Sequence, residues 1–99
     1  MITFDALSVN AVGIQATTGV ASAVTAIPAT ASGRAPKHVY IQATGLAYIK
    51  PGLVGSACTV NDILITVNNP IVLDVAGFTH IAHIQEAAAA KVNITPLES

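Results

Sequence analysis

Two histidines three residues apart, His80 and His83, could in principle bind a metal ion. A spacing of three residues suits a helix, whereas in a strand the two side chains would point to opposite faces. Segment 79–85 predicts a strand, either bulged or buried on both faces. No cysteine lies nearby, so we predict no metal site, and nothing in the chain implies a cofactor.

The other residue types that catalyse reactions are scattered. The five carboxylates are spread through the sequence, at Asp5, Asp62, Asp74, Glu86 and Glu98. No serine lies in the Gly-x-Ser-x-Gly turn that exposes a nucleophile, and no glycine-rich loop is suited to phosphate. We therefore predict that the chain is not an enzyme. A small hydrolase or metal protein that uses His80 and His83 is the weakest alternative.

Cys58 is the single cysteine and cannot form an internal disulfide. It lies in the small-residue stretch Gly55-Ser56-Ala57-Cys58-Thr59. Free cysteine is among the most frequently buried residue types. We expect Cys58 to be a small buried apolar side chain and not a reactive thiol.

The composition favours a subunit of a larger assembly. Of the 99 residues, 53% are hydrophobic and 9% are charged, whereas ordinary soluble domains carry about 25% charged residues. So few charges predict apolar surface that neighbouring subunits cover, as in an obligate homo-oligomer. The length predicts a single β domain over 1–99, with an Ala/Thr/Val-rich part at 1–33 and the main sheet at 34–99.

Charge and hydropathy also argue against two other classes of partner. The net charge is −1, and the four basic residues are scattered, at Arg34, Lys37, Lys50 and Lys91, so we expect no direct binding of nucleic acid. No apolar run approaches the roughly 20 residues that span a bilayer, so no membrane is expected. Met1–Asp5 lacks the features of a signal peptide, and we expect synthesis in a host cytoplasm.

Alternating apolar and polar residues predict an all-β fold. The clearest strand is His38–Ala43, with Val39 and Ile41 on one face and Tyr40 and Gln42 on the other. Further strands are predicted within 22–27, 46–50, 71–75, 79–85 and 91–96, and 63–67 is a strand or an extended loop. Six to eight short strands at this spacing predict a small antiparallel β-sandwich or barrel.

The links between these strands suggest local pairing. Thr44-Gly45 predicts a hairpin between 38–43 and 46–50, and Pro51-Gly52 is expected to close the second strand. Phe78 is expected to fill the core at a corner. Segment 86–91 predicts a hairpin tip or a single helical turn, because six residues cannot stabilise a helix alone, with the last strand pairing with its predecessor.

Three residues form the candidate interaction surface: Arg34, Tyr40 and Tyr48. Gly33-Arg34-Ala35-Pro36 predicts an exposed turn. The two tyrosines flank the predicted hairpin, where they would pack as a cross-strand pair or stand exposed to stack on a sugar or anchor a protein contact.

The order of features from Gly33 onward resembles a group of short virion proteins encoded near the capsid genes of tailed bacteriophages. The resemblance rests on 33–36 leading into Val39-Tyr40-Ile41, on Thr44-Gly45 with 47–49 and Pro51-Gly52, on 73–82, and on the closing 93–98. It covers about the last two thirds of the chain, while the first third matches only in composition.

The resemblance implies a β-sandwich accessory subunit of the virion. Its function would be capsid decoration or cement, stabilising the head by bridging neighbouring subunits, or an accessory structural role at the neck or tail. The implied partners are the major capsid protein or other virion structural proteins, with homo-oligomers such as a trimer. The alternative from another class is a carbohydrate or host-surface binding module, suggested by Tyr40, Tyr48 and the polar strand faces.

Overall fold

The computed structural model describes residues 13–97, which form eight β-strands and no helix. The strands are β1 (Ile14–Thr17), β2 (Ala23–Ala26), β3 (His38–Ala43), β4 (Ala47–Gly52), β5 (Ile63–Ile65), β6 (Ile71–Asp74), β7 (His80–Gln85) and β8 (Lys91–Leu97). The all-β prediction is confirmed. The expectations for Met1–Asp5 and for the Glu98 carboxylate lie outside the described residues.

The strands form two four-stranded antiparallel sheets. Sheet 1 has the order β1-β8-β3-β6, and sheet 2 has the order β2-β7-β4-β5. The first strand pairs with the last, β2 with β7, β3 with β6, and β4 with β5. The chain is therefore one long hairpin folded across two sheets, which is the strand arrangement of a jelly roll.

The core lies between the two sheets and is filled by the alternate residues of each strand. From sheet 1, Val39 and Ile41 of β3 are fully buried, as are Ala47 and Ile49 of β4 in sheet 2. Because side chains in a strand alternate between faces, Tyr40 and Tyr48 point away from this core. The inward faces predicted for β3, β6 and β8 are confirmed, although Ile71 and Leu73 are only half-buried at the edge strand.

Strand β7 is buried on both faces, which confirms one of the two interpretations of segment 79–85. Ile81 and His83 face the core, while Ala82 is fully buried on the outer face of sheet 2. The β4–β5 loop covers Ala82 on this outer face. Its Cys58 backbone N–H donates to Ser22 Oγ at 2.7 Å, beside β2. Since β2 and β5 lie at opposite edges of sheet 2, the loop must cross that face.

The predicted hairpin between β3 and β4 is wrong, because the two strands lie in different sheets. The short link between them crosses over the core. Its backbone groups bond to residues at the two ends of the β7–β8 connection. The Thr44 N–H donates to the carbonyl of Lys91, the first residue of β8, at 2.9 Å, and the Leu46 carbonyl accepts from the Glu86 N–H at 3.4 Å. These long-range bonds satisfy groups that a hairpin turn would have paired locally.

The predicted pairing of the last strand with its predecessor is also wrong. Strand β8 lies between β1 and β3 in sheet 1, whereas β7 belongs to sheet 2. Segment 86–91 is neither a hairpin tip nor a helical turn. Its backbone bonds to distant segments: the Ala90 carbonyl accepts from the Thr18 N–H at 2.8 Å, and the Ala90 N–H donates to Thr18 Oγ1 at 2.8 Å.

Two smaller expectations are corrected as well. Strand β4 does end at Gly52, but Pro51 and Gly52 are its last two residues, paired with Ile81 and His80, and not a turn that follows it. Phe78 does not fill the core, and 41% of its surface is exposed. The Phe78 N–H closes a turn onto the Val75 carbonyl at 2.9 Å; Val75 takes the core position, and the turn directs Phe78 outward. No helix in the described part of the chain could span a membrane.

Candidate interaction surfaces

Arg34 lies in the exposed connection between β2 and β3, as the sequence predicts. Thr30 closes this turn, since its backbone N–H donates to the Arg34 carbonyl at 2.9 Å. The Arg34 N–H in turn donates to Thr30 Oγ1 at 3.2 Å. Gly33 precedes it with a φ of 83°, a conformation that glycine adopts readily and other residues rarely do. The turn therefore holds Arg34 at the surface.

The structure does not bring Arg34, Tyr40 and Tyr48 together. Tyr40 is half-buried on the outer face of sheet 1, and Tyr48 is half-buried on the outer face of sheet 2. The core separates the two rings, so the predicted cross-strand pair does not exist, and no single ligand can stack on both.

One apolar surface was not predicted from the sequence. Besides Ile63, which occupies a core-facing position of β5, four large apolar side chains are exposed on the β4–β5 loop and on β5: Leu53 (57% exposed), Val54 (68%), Val60 (61%) and Leu64 (46%). We call these four residues the loop surface. They carry no charge, and Leu64 faces outward from sheet 2 beside Tyr48. The sequence signal for this surface was its weakly polar composition, which also suits a buried strand.

The β4–β5 loop is held in shape by two local turns. In the first, the Ser56 N–H donates to the Leu53 carbonyl at 3.0 Å, and the Leu53 N–H donates to Ser56 Oγ at 2.9 Å. In the second, the Thr59 N–H donates to Asp62 Oδ2 at 2.7 Å and lowers the pKa of that carboxyl group. The apolar side chains are thus presented by an ordered backbone.

Cys58 lies on the inner side of this loop and is buried, as predicted. Burial, together with the nearby Asp62 carboxylate, raises the pKa of its thiol to about 11. A thiol reacts as the thiolate. Cys58 is therefore a packing residue in the folded protein.

His80 and His83 point to opposite faces of β7, as the sequence predicts for a strand. His83 faces the core, where Nε2 lies 2.9 Å from Thr25 Oγ1 and Nδ1 has no hydrogen-bond partner. Burial lowers the pKa of His83 below its usual 6.5. His80 lies on the outer side, with Nδ1 2.8 Å from Thr79 Oγ1. Within residues 13–97, no three potential metal ligands lie close together.

The outer face of sheet 1 carries a polar groove of about 320 Å³. Its floor is a row of three amide side chains, Gln15, Asn93 and Gln42, which the registers of β1, β8 and β3 place directly beside one another. Thr44 and Lys91 lie at one side of the row. Gln15, Asn93, Gln42 and Lys91 occupy outward positions of their strands, so the floor of the groove follows directly from the pairing of the strands.

The β5–β6 connection forms the other wall of the groove through Thr66, Val67, Asn68, Asn69 and Pro70. Thr66 and Asn69 form an isolated bridge, and Asn68 has a φ of 65°, a region in which asparagine is enriched. The Asn-Asn-Pro turn was recognised in the sequence, but its proximity to Gln42 depends on β6 pairing with β3. Sequence reasoning therefore missed the groove.

No family model matches this chain, and neither a curated protein nor a solved structure matches it. Two surfaces bear on its function. The loop surface lies on the β4–β5 loop and on β5 of sheet 2 and is apolar, whereas the outer face of sheet 1 is polar and contains the groove. The first is suited to burial against another protein, and the second to hydrogen bonding with a ligand.

Proposed function

We propose that this chain is a structural virion protein of a tailed bacteriophage, and specifically a capsid decoration or cement subunit. The observation that carries the proposal is the loop surface, in which four apolar side chains are exposed on the β4–β5 loop and on β5. A group of exposed apolar side chains on one segment of a chain is typical of an interaction site. The proposed occupant of this surface is the major capsid protein of the same particle.

The order of the loop strengthens this argument. Binding costs less free energy when the contacting segment already has its bound conformation. The two turns at Leu53–Ser56 and Thr59–Asp62 fix the backbone before any partner arrives. An apolar loop whose backbone is already held by such turns is therefore better suited to a permanent contact than to closing over a substrate.

The composition and the fold agree with this function. With 9% charged residues, the chain has few groups that would keep an isolated subunit dispersed at high concentration. Jelly rolls occur in viral capsid and lectin domains and also in cupins; the fold alone does not decide between them. The resemblance of residues 33–98 to short phage virion proteins supports the first of these classes.

A decoration subunit would act by bridging. Each copy would bury its loop surface against one or two capsid subunits, and many weak contacts would add up over the shell through multivalency. Apolar contacts of this kind need no catalytic group. The stabilisation of the head would come from the number of contacts and from the rigidity of the sandwich.

The direct test is mass spectrometry of purified particles from the phage that encodes this chain. The proposal expects the protein in intact virions at a copy number comparable with that of the major capsid protein. A few copies per particle would instead indicate the neck or tail. Complete absence from the particles would exclude a virion protein.

A binding experiment tests the surface itself. Purified protein is sedimented with capsids assembled without it, and the double variant Leu53→Lys/Val54→Lys is compared with Ala88→Lys, a matched change on the exposed β7–β8 connection. We expect the double variant to fold but to lose cosedimentation, while Ala88→Lys cosediments as the original protein does. Equal cosedimentation of all three proteins would exclude the loop surface as the capsid contact.

A further inference from the structure

We infer that the groove on sheet 1 is a binding site for a short saccharide segment, whose hydroxyl groups are held by the amides of Gln15, Gln42 and Asn93. This site lies on the sheet opposite the loop surface. The inference rests on the groove alone, so it holds or fails independently of the proposed capsid function.

The arrangement of the three amides fits a row of hydroxyl groups. Asn93 is the direct cross-strand partner of both Gln15 and Gln42, and such partners have Cβ atoms about 4.5–5.5 Å apart. An amide side chain offers both donors and an acceptor, and a sugar hydroxyl likewise donates and accepts. Three adjacent amides can therefore pair with successive hydroxyls of a sugar chain that crosses the strands.

Much of the hydrogen-bonding capacity of the groove is unused. The side chains of Gln15, Asn68 and Asn69 make no hydrogen bond within the described part of the chain. Two other amides are oriented by one bond each. Gln42 Nε2 donates to Tyr40 Oη at 3.3 Å, which leaves the Gln42 carbonyl oxygen available.

Asn93 is oriented in the opposite sense. Its Oδ1 accepts from Thr95 Oγ1 at 2.6 Å, which leaves its NH₂ group to donate. The floor of the groove therefore presents an acceptor at Gln42 beside a donor at Asn93, each oriented by one hydrogen bond. Fixed polar groups in a concave site give a ligand both orientation and specificity.

The chemistry of the lining argues against other ligand classes. No carboxylate lines the groove, so it lacks the oxygen ligands that Ca²⁺ and Mg²⁺ prefer. Lys91 is its single cationic side chain, whereas recognition of a nucleic acid backbone requires several. The lining is predominantly amide and hydroxyl, which does not suit a lipid chain. An uncharged or singly charged polyhydroxylated ligand remains.

The size and surroundings of the groove fit a short glycan segment. Its volume of about 320 Å³ is at the lower end of the roughly 300–1,000 Å³ found for small-molecule sites. Tyr40 lies on the same outer face of sheet 1, with its hydroxyl bonded to Gln42. Its ring gives a flat apolar surface beside the amides, against which the C–H face of a sugar ring can pack.

The test is a binding measurement with defined oligosaccharides on the full chain. The probes are maltohexaose, mannohexaose and the hexamer of N-acetylglucosamine as neutral glycans, and a hexuronate oligomer as the acidic glycan. The variants are Gln15→Ala/Gln42→Ala and Asn69→Ala in the groove, with Asn61→Ala on the exposed β4–β5 loop as the matched control. Thermal melting confirms that each variant is folded.

We expect at least one probe to bind, with affinity about tenfold lower in the double groove variant and unchanged in Asn61→Ala. If the double variant fails to fold, Asn69→Ala tests the same site, and it too should bind the probe more weakly than Asn61→Ala does. Binding of the hexuronate alone, weakened further by Lys91→Gln, would identify the ligand class as acidic saccharides. The inference is overturned if the original protein binds no probe, or if the groove variants bind as tightly as Asn61→Ala.

Discussion

Thr25 and His83, on the neighbouring strands β2 and β7, share a hydrogen bond inside the core, with Thr25 Oγ1 2.9 Å from His83 Nε2. His83 Nδ1 is buried without a partner. A buried N–H without a partner is rarer and costlier than an acceptor without one. We therefore assign a neutral imidazole, in which Nε2–H donates to Thr25 Oγ1 and Nδ1 carries the lone pair.

This geometry predicts that acid destabilises the fold through His83. Burial lowers the pKa of His83 below 6.5, so between the folded and unfolded pKa values the unfolded chain binds more protons than the folded one. Stability therefore rises with pH across that window and is lost as pH falls below about 6.5. Urea unfolding at a series of pH values measures this slope.

The variant His83→Leu should flatten this slope, because an apolar side chain of similar size does not titrate. His80→Gln is the control, since His80 lies on the outer side of β7. It should keep the slope. A pH dependence that persists in His83→Leu would show that another group destabilises the fold in acid.

Ile41→Asp should abolish folding. Ile41 is fully buried at the centre of the core, and an unpaired carboxylate there costs several kcal/mol against a total stability of about 5–15 kcal/mol. Gln42→Asp is the matched control, because Gln42 is exposed on the opposite face of the same strand. Circular dichroism during heating distinguishes them: a cooperative transition is expected only for the control. A soluble, cooperatively melting Ile41→Asp protein would contradict the assigned core face.

Gly13→Ala should destabilise the protein by about 1–3 kcal/mol through overpacking. A Cβ atom at Gly13 would lie 2.8 Å from the Ile94 carbonyl oxygen, which the backbone of β8 holds in place. At Gly55 an added Cβ meets nothing within 4 Å, so Gly55→Ala should melt like the original protein. Denaturant midpoints compare the two variants, and equal midpoints would show that β1 can move away from β8.

Cys58 should react slowly with Ellman's reagent at pH 8. Its pKa of about 11 leaves little thiolate, and burial limits access, so we expect a rate at least about a hundredfold below that of the chain unfolded in urea. Asp62→Asn should speed the reaction, since the Asp62 carboxylate helps to raise the thiol pKa. Asp74→Asn, on β6, is the control. A native rate equal to the unfolded rate would contradict the packing described for the loop.

The sequence predicted strand faces well and strand partners poorly, for a physical reason. Period-two alternation at Val39–Ile41 and at Val92–Ile94 indicates which face of each strand is buried. The buried faces of both strands were predicted correctly. It does not report which strand lies alongside. The link at Thr44–Leu46 can form a hairpin or cross between sheets, and the choice depends on bonds to Lys91 and Glu86, more than 35 positions away.

The candidate sites show the same division. That Arg34 is exposed and that Cys58 is buried follow from local composition, and both predictions are confirmed. The groove needs Gln15, Gln42 and Asn93 in one row, which only the registers of three strands distant in sequence provide. Tyr40 and Tyr48 were grouped because they are close in sequence, yet the jelly-roll path separates them.

The pairing of the first strand, β1, with the last, β8, also affects how fast the protein folds. Strand β8 is a central strand of sheet 1 but the last of the eight to leave the ribosome, so β1 and β3 lack their shared neighbour until then. Folds dominated by such distant contacts form in milliseconds to seconds. During that interval the unpaired edges of β1 and β3 are open to other chains, and rapid synthesis at high concentration should favour aggregation over folding.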